Sequence, residues 1–285
     1  MTAQSRLVEE MLSLPILSVV MPAYNEEATI MQVLTRLHGL RCLKEVIVVD
    51  DGSTDTTCKQ VEALHLPKVR LIRHAQNAGK TAAVRRGLQE VTGDITIIQD
   101  ADLEYDPEEI GDVILPIVQH KADVVYGSRF RIKKAARVLY FAHYLANALL
   151  TFLSNLFTNV NLTDIETCYK AFRTPLIKAM PLSSRGFGME VEITALITKT
   201  RARLYEVPIS YYGRAYEEGK KIKARDGLWA FWYILYYNIV ASHTAMRRQY
   251  IREANAFLAS VSAPAEGVSQ TGVEDPTCQQ VRHSL

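Results

Sequence analysis

The sequence predicts an α/β domain in which a mostly parallel central sheet is flanked by helices. Three observations support this fold class: short apolar runs rich in β-branched residues, helical patterns between those runs, and polar clusters directly after them. The chain has 285 residues, of which 48% are hydrophobic, so it is long enough to bury a sizeable core. We expect one large domain, alone or with appendages.

Short apolar runs mark the strands of the predicted sheet. They lie at 16–21, 45–49, 69–72, 94–98, 123–126 and near 204–210. Runs of this kind suit strands that are buried on both faces. Helical patterns separate the first four runs, at 27–40, 54–64 and 80–91. Because strands that alternate with helices generally pair in parallel, this order predicts a helix-flanked parallel sheet.

Polar clusters end three of the predicted strands, at 22–27, 50–55 and 100–106. In open α/β sheets, ligands bind outside the carboxyl ends of the strands. We therefore expect these three clusters to converge on one cleft.

Three acidic residues, Asp100, Asp102 and Glu104, follow the fourth predicted strand. On an extended segment alternate side chains point the same way, so these carboxylates can present several oxygen ligands to a hard divalent cation. A cation there would also hold a diphosphate. The alternative is structural, because Asp often caps helices and an isolated Asp-x-Asp triplet is common by chance.

The other two clusters carry groups suited to a nucleoside. Tyr24 offers a ring that can stack on a base, and Glu26 offers an acceptor for ribose hydroxyls. Asp51 can accept hydrogen bonds from a base or ribose at the floor of the cleft. The alternative for the second cluster is a helix start in which Ser53 or Asp55 is the N-cap.

Basic residues in the second half of the chain are candidate phosphate ligands. Arg129 follows the predicted strand at 123–126, and Arg214 and Lys220 belong to a loop before a Trp-rich helix. A guanidinium fork and an ammonium group both suit the clamping of phosphate. An ordinary solvated loop would carry the same charges.

One uncharged stretch, residues 138–157, is about as long as a membrane span. Its polar residues His143, Asn147, Thr151 and Ser154 recur at helical spacing, which indicates an amphipathic helix. The basic residues at 129–137 suit a helix that lies on anionic headgroups with its apolar face inserted. A helix packed on the domain core is the alternative. The apolar run at 228–241 is open to the same two interpretations.

The composition argues against several classes of protein. A formal charge of +2 gives no basic excess for binding nucleic acid. Residues 1–13 include Glu9 and Glu10 and no apolar core, so they do not predict a secretory signal. Four cysteines without paired spacing are typical of reduced thiols. We expect a cytoplasmic protein with peripheral contact to the inner face of the cell membrane, and the sequence is compatible with a homo-oligomer.

Together these motifs resemble the family 2 glycosyltransferases. The motifs that carry the resemblance are Pro22-Ala-Tyr-Asn-Glu26, VVDDGSTD at 48–55, Asn77-x-Gly79-Lys80, Asp100-Ala-Asp102, Gly127-Ser-Arg129, and Arg214 six residues before Lys220. Within the family they are most similar to the dolichyl-phosphate mannose synthase branch, whose bacterial members make polyprenyl-phosphate sugars. The resemblance covers residues 16–240. It implies a GT-A fold that binds a nucleotide-diphosphate sugar and Mg²⁺ or Mn²⁺.

The resemblance also divides the chain. Residues 16–130 would be the nucleotide-sugar-binding half of the GT-A domain, and residues 131–240 the half that faces the acceptor and the membrane. An N-terminal extension at 1–15 and a C-terminal segment at 241–285 flank the domain. The composition of the last part, from Ala259, predicts a disordered tail.

Roles for single residues follow from the same resemblance. Those implied to hold the nucleoside are Pro22, Tyr24, Glu26, Val49 and Asp51. Asp100 and Ala101 are implied to contact the nucleotide sugar, and Asp102 and Glu104 to ligate the metal. The residues implied to hold phosphates or the acceptor are Arg129, Arg214 and Lys220. Two features depart from the family: Glu104 stands where relatives often have Gln, and the chain ends without the transmembrane helices that some relatives carry.

The implied reaction is an inverting, metal-dependent transfer of a hexose from a UDP- or GDP-sugar to a polyprenyl or dolichyl phosphate. Such a phosphate is mostly ionised near neutral pH, so its attack needs no strong base. A soluble or polysaccharide hydroxyl as acceptor would need a carboxylate base, for which the candidates are Asp164, Glu166, Glu190 and Glu192.

Asp164 is favoured as that base, because its segment resembles the acceptor-side Asp of the family, and a helix N-cap is its alternative. Asp102, Arg129 and Asp164 are thus the expected catalytic residues. A non-catalytic nucleotide-sugar-binding subunit is the remaining alternative function.

Overall fold

The computed structural model describes residues 10–131, 140–184, 188–213 and 224–262. The first half of the chain forms β1 (Leu17–Ala23), α1 (Ile30–His38), β2 (Leu43–Asp50), α2 (Thr57–Ala63), β3 (Val69–Arg73), α3 (Lys80–Leu88), β4 (Ile95–Ile98), α4 (Ile110–Val118) and β5 (Val124–Ser128). The second half forms α5 (Phe141–Thr158), β6 (Lys170–Arg173), α6 (Thr174–Lys178), α7 (Met189–Ile197), β7 (Leu204–Pro208), α8 (Ala224–Leu235), a π-helical continuation (Tyr236–Val240) and α9 (Ala245–Ser262).

The seven strands form one sheet in the order β3-β2-β1-β4-β6-β5-β7. Neighbouring strands are parallel except at β6, which runs antiparallel to both β4 and β5. The predicted fold class, a mostly parallel sheet flanked by helices, is confirmed. β6 is not predicted from the sequence, because its four residues include two cations and are too few to show a strand pattern.

Burial along the sheet explains the continuous apolar runs. β4 and β5 are buried over their whole length, whereas the edge strands β3 and β7 are only partly buried. Central strands are covered by helices on both faces, so both sets of side chains are apolar.

The strand register brings the ends of the central strands to one edge of the sheet. Ala23 pairs with Asp50 across β1 and β2, and Val20 pairs with Ile98 across β1 and β4. Because β6 is reversed, its start lies at this same edge, where Lys170 pairs with Tyr126 of β5. The loops after β1, β2, β4 and β5 therefore meet the segment that precedes β6.

Two helices begin later than the sequence predicts. α1 begins at Ile30 rather than at residue 27, and α2 begins at Thr57 rather than at residue 54. Neither Ser53 nor Asp55 is the N-cap of α2, since Thr56 holds that position. The polar residues before both helices bond across the two loops instead of entering a helix.

Helix α5 packs on the domain through its polar side. Thr151 and Ser154 are its buried residues. The opposite stripe is exposed. It contains Phe141, Leu145, Leu149, Phe152 and Leu156, each more than half exposed. The predicted amphipathic pattern is therefore present, but the polar residues Thr151 and Ser154 face inward together with Leu150 and Leu153, and an apolar stripe faces outward, unlike that of an ordinary surface helix.

Helix α8 extends this exposed surface. It contacts α5, and Trp229, Trp232 and Ile239 of α8 and its π-helical continuation are also more than half exposed. We call the exposed side chains of α5, α8 and that continuation the apolar surface. Within the residues that the structure describes, no helix combines the length and hydropathy needed to cross a bilayer.

The C-terminal helix α9 continues beyond the start of the predicted tail. Residues 259–262, which the composition assigns to a disordered segment, form its last turn. Three apolar or aromatic side chains of α9, Tyr250, Ala254 and Leu258, are buried and join the core. Residues 263–285 lie outside the described residues.

A buried ion pair also holds α9. Arg247 donates to Glu192 of α7, and the two residues are 4% and 0% exposed. Glu192 also accepts bonds from Ser183 N at 2.9 Å, Ser183 Oγ at 2.8 Å and Ser184 N at 2.7 Å. Ser184 Oγ in turn lies 3.2 Å from Thr81 Oγ1 in the first turn of α3. The pair thus links α9 to α3, the helix that begins at the sheet edge described above.

Replacing Arg247 by Met should lower the free energy of unfolding by about 3 kcal/mol, because the charge of Glu192 would remain buried without its cation. Urea unfolding of Arg247→Met beside Arg248→Met measures this, since Arg248 is the exposed neighbour on the same helix. Equal stabilities of the two variants would contradict the role assigned to the pair.

Candidate active site at the carboxyl edge of the sheet

Side chains of the first two polar clusters bond the loops after β1 and β2 to each other. Asn25 N donates to Ser53 Oγ at 2.9 Å, and Thr54 N donates to Asn25 Oδ1 at 2.8 Å. The Glu27 carboxylate accepts bonds from both N and Oγ1 of Thr56. Much of the polar character of these clusters is therefore structural, and it fixes the backbone at this edge.

Asp51 anchors the loop that leads into α3. Its carboxylate accepts bonds from Ala78 N at 3.0 Å and Gly79 N at 2.7 Å, and it lies 2.7 Å from His74 Nδ1. Gly79 has a φ of +92° and directly precedes Lys80, where α3 begins as the helical pattern at 80–91 predicts. Asp51 is 3% exposed. Its contact with a nucleoside stays a prediction, and the structure adds a structural role.

The other residues predicted to hold the nucleoside or nucleotide sugar differ in exposure. Tyr24 is 39% exposed, and Pro22 and Glu26 are half-buried at the same edge. Val49 and Ala101 are buried, so their side chains contribute to packing rather than to an open surface. Among these five residues, Tyr24 offers the surface that stacking on a base requires.

The acidic segment after β4 bends instead of continuing as a strand. β4 ends at Ile98, and residues 101–105 form bends. Asp100, Asp102 and Glu104 therefore do not share one extended face, and that prediction is wrong. Asp102 Oδ1 accepts a bond from Glu104 N at 3.1 Å, which closes a turn within the segment. In the described part of the chain, no three acidic, His or Cys side chains form a cluster that could hold a metal alone.

Lys80, the first residue of α3, holds the first carboxylate of this segment. Its Nζ lies 2.9 Å from Asp100 Oδ1, 3.2 Å from Glu190 Oε1 of α7 and 3.8 Å from Cys168 Sγ. Burial lowers the pKa of Lys80, but Asp100 and its other acidic neighbours raise it well above its ordinary value. The ammonium group therefore stays charged. The motif at 77–80 marks Lys80 in the sequence, but nothing there pairs it with Glu190.

A buried ion pair fixes Arg129 just after β5. Asp164 accepts bonds from Arg129 Nε at 2.6 Å and Nη2 at 2.7 Å, and its side chain is completely buried. Asn147 of α5 accepts a further bond from Nη2 at 3.3 Å. Burial lowers and Asp164 raises the pKa of Arg129, with a net increase, so the guanidinium remains charged. Asp164 lies in an irregular segment, and the N-cap alternative for it is wrong.

The four candidate bases are poorly placed to accept a proton from a hydroxyl. Asp164 and Glu192 each form a buried ion pair with an arginine, and Glu190 is bonded to Lys80. Burial and the charge of Glu190 raise the pKa of Glu166 to about 8, so this carboxyl is mostly protonated at neutral pH. The geometry gives little support to an acceptor that requires a base.

The segment after β7 contacts both the acidic segment and Arg129. Tyr211 Oη donates to Glu104 Oε2 at 2.9 Å, and its ring centroid lies 5.1 Å from Arg129 Cζ. Sequence reasoning missed Tyr211 because a single Tyr after a strand carries no motif. The predicted phosphate ligands Arg214 and Lys220, which follow this segment, lie outside the described residues.

The chemistry of Asp102 and Glu104 fits a hard divalent cation. Carboxylate oxygens are the ligands that Mg²⁺ and Mn²⁺ prefer, and Mg²⁺ is commonly held by one or two carboxylates together with substrate phosphates. Two carboxylates on one bend match that arrangement. Asp100 suits it less, because Lys80 already neutralises its charge.

Comparison with known proteins gives one family and a consistent group of relatives. Residues 18–180 match Glycosyl transferase family 2. The chain is 29% identical over 236 residues to the UDP-N-acetylglucosamine–dolichyl-phosphate N-acetylglucosaminyltransferase of Methanococcus voltae. This alignment covers 76% of this chain and 94% of that protein. It is 32% identical over 225 residues to the dolichyl-phosphate beta-glucosyltransferase of Saccharomyces cerevisiae, in an alignment that covers 69% of this chain and 66% of that protein.

A third relative is the dolichol-phosphate mannosyltransferase of Pyrococcus furiosus. It is 30% identical over 210 residues, which cover 71% of this chain and 58% of that protein. The chain thus spans about two thirds or less of the length of the yeast and Pyrococcus relatives.

Solved structures of glucosyl-3-phosphoglycerate synthase from Mycobacterium tuberculosis share the fold. The complex with phosphoglyceric acid has a TM-score of 0.63 at 21% identity, over 83% of this chain and 84% of that chain. The complex with Mn²⁺, UDP-glucose and phosphoglyceric acid has a TM-score of 0.62 at 22% identity, with the same coverage. These similarities confirm the predicted GT-A fold. Because the family match extends over more than half of its residues, this chain belongs to glycosyl transferase family 2 and is a glycosyltransferase.

Proposed function

We propose that the protein transfers a hexose from a UDP- or GDP-sugar to a polyprenyl or dolichyl phosphate, with inversion at the anomeric carbon. The observation that carries this proposal is Arg129, a permanently charged guanidinium that a buried carboxylate holds against Tyr211, the residue that bonds to Glu104 of the acidic segment. An acceptor phosphate needs such a cation close to the donor. The three relatives described above are named for transfer to dolichyl or dolichol phosphate, which supports this acceptor class.

The acidic segment is the proposed site of the donor's diphosphate. Asp102 and Glu104 would hold Mg²⁺ or Mn²⁺, which when bound stabilises the negative charge that develops on the leaving diphosphate. Tyr24 would stack on the base, and Lys80 keeps Asp100 fixed by their ion pair. The structurally similar synthase forms complexes with Mn²⁺ and UDP-glucose and with Mg²⁺ and UDP, which supports the use of a divalent metal.

The proposed reaction is a direct displacement. A phosphate oxygen of the acceptor forms a bond to the anomeric carbon while the bond from that carbon to the donor's diphosphate breaks. The electron pair of the broken bond leaves with the nucleoside diphosphate. No proton has to be removed, because the second pKa of a phosphomonoester is about 6. Asp164 acts in this reaction as the group that positions Arg129 rather than as a base.

The apolar surface is the proposed contact with the cytoplasmic face of the membrane. Its side chains would insert among the lipids, which explains why they are exposed on two neighbouring helices. Asn147 contacts Arg129 from the inner side of α5, so the acceptor cation and the apolar surface lie on opposite sides of one helix. That arrangement suits an acceptor whose phosphate is polar and whose tail is lipid. Residues 132–139, which include Lys133, Lys134 and Arg137, lie outside the described residues.

Replacing Asp102 by Ala should lower turnover by a factor on the order of 10³. The reason is that the metal would no longer stabilise the negative charge on the leaving diphosphate, an effect of several kcal/mol. Initial rates with saturating Mn²⁺ measure the loss. Asp106→Asn is the matched control in the same loop, since Asp106 pairs with Arg36 and caps the 3₁₀ turn before α4. Undiminished turnover in Asp102→Ala would contradict the metal assignment.

Replacing Asp164 by Asn should raise the acceptor KM by about tenfold, with a smaller effect on kcat, because Arg129 would lose a charged, two-point partner. Asn147→Ala, which removes one longer bond to Arg129, should raise the acceptor KM less. A loss of kcat of about 10² or more with an unchanged acceptor KM would instead identify Asp164 as a base.

Replacing both Phe152 and Leu156 by Asp should weaken binding to anionic vesicles by at least about tenfold, since each buried apolar side chain contributes roughly 1.5–3 kcal/mol. Vesicle sedimentation measures the effect. Met31→Asp on α1 is the control, because Met31 is also exposed but lies outside the apolar surface. Sedimentation of the double variant at the level of the control would contradict the membrane assignment.

A further inference from the structure

The backbone that carries Tyr211 is fixed to the loop after β4. Ser210 donates to the Glu109 carboxylate through both N, at 2.7 Å, and Oγ, at 2.8 Å. Tyr212 N donates to Glu104 O at 2.8 Å. These three bonds do not involve the side chain of Tyr211. A change in that side chain therefore leaves the attachment of the segment in place.

The side chain of Tyr211 makes two contacts through different atoms. Its hydroxyl donates to Glu104 Oε2 at 2.9 Å, and its ring faces the Arg129 guanidinium, with Cζ 5.1 Å from the centroid. Tyr105 packs against the same ring, at 5.4 Å between centroids. Gly213 leaves room for it, because a Cβ there would lie 2.6 Å from Tyr211 Cε1. The ring is therefore held in position on several sides.

These contacts explain how a carboxylate is accommodated at position 104, where relatives often have Gln. An ionised carboxylate accepts hydrogen bonds but cannot donate one, so it needs donors around it. The Tyr211 hydroxyl supplies such a donor and fixes one of the two oxygens. On the acceptor side, Asp164 fixes the edge of the Arg129 guanidinium and the Tyr211 ring covers its face.

We propose that Tyr211 is a positioning residue that joins the donor and acceptor sites: its hydroxyl orients Glu104 toward the donor's metal, and its ring orients Arg129 toward the acceptor phosphate. This inference rests on the function proposed above. Because the two contacts use different atoms, two substitutions separate them. Tyr211→Phe removes the hydroxyl and keeps the ring, whereas Tyr211→Leu removes both.

The test measures metal binding and acceptor binding separately. Mn²⁺ affinity is measured by electron paramagnetic resonance in the presence of UDP and, in parallel, GDP, and the acceptor KM is measured with dolichyl phosphate. In Tyr211→Phe we expect Mn²⁺ affinity to fall about tenfold, the effect of losing one hydrogen bond to a charged group, with an unchanged acceptor KM. In Tyr211→Leu we expect the same fall and also a several-fold rise in the acceptor KM.

Tyr212→Phe is the matched control, because its side chain is 55% exposed and its bond to Glu104 comes from the main chain. It should match the wild type in both measurements. In a Glu104→Gln background the effect of Tyr211→Phe on Mn²⁺ affinity should shrink, because a bond to a neutral amide is weaker than one to a carboxylate.

Two results would overturn the proposal: wild-type Mn²⁺ affinity in Tyr211→Phe, or equal changes of Mn²⁺ affinity and acceptor KM in that variant. Both results can be distinguished from a failure of the proposed function, which the activity of the wild type tests. If the wild type transferred no sugar to dolichyl phosphate, the function would be refuted, while the Mn²⁺ titration would still report on the contact between Tyr211 and Glu104.

Discussion

The reversed direction of β6 is the constraint on which the candidate site depends. In a wholly parallel sheet the segment before a strand lies at the edge opposite to the ligand cleft. Because β6 is antiparallel to β4 and β5, the segment before it reaches the cleft edge, where Asp164 meets Arg129. A parallel β6 would leave a buried carboxylate without its cation, at a cost of several kcal/mol. The same reversal places Cys168 against Ile98, the last residue of β4, and Tyr169 against Gln99, the residue after it.

Helix α5 connects this site to the outer surface of the protein. A helix on a globular domain normally turns its apolar stripe inward. α5 does the opposite, because its inner side lies over a polar centre in which Asn147 contacts Arg129 and Asp164. Leu150 and Leu153 still pack against the core, but the apolar stripe on the opposite side is exposed. The proposed lipid-linked phosphate would match both sides of this helix, with its charge at Arg129 and its hydrocarbon beside the apolar surface.

The sequence predicted the parts of this structure that local pattern determines. The strands β1 to β5, the start of α3 at Lys80 and the position of the acidic loop all follow from hydrophobic periodicity and the polar clusters after the strands. Contacts between distant elements do not leave a local signal: Arg129 and Asp164 are 35 residues apart, and Tyr211 and Glu104 are 107 apart. The bend at 101–105 could not be predicted from alternation, which indicates an extended segment there. A hydrogen bond from Glu104 N to the Asp102 side chain turns the backbone instead.

The nature of the acceptor tests the account most directly. The wild-type protein would be incubated with UDP- or GDP-hexose labelled in the sugar, with Mn²⁺ and either polyprenyl phosphate or the corresponding polyprenol, and the label would then be partitioned between water and organic solvent. If the acceptor attacks as an ionised phosphate and none of Asp164, Glu166, Glu190 and Glu192 acts as a base, label should move into the organic phase with polyprenyl phosphate and stay in water with polyprenol. Label that stays in water with polyprenyl phosphate, or that moves into the organic phase with polyprenol, would contradict the account.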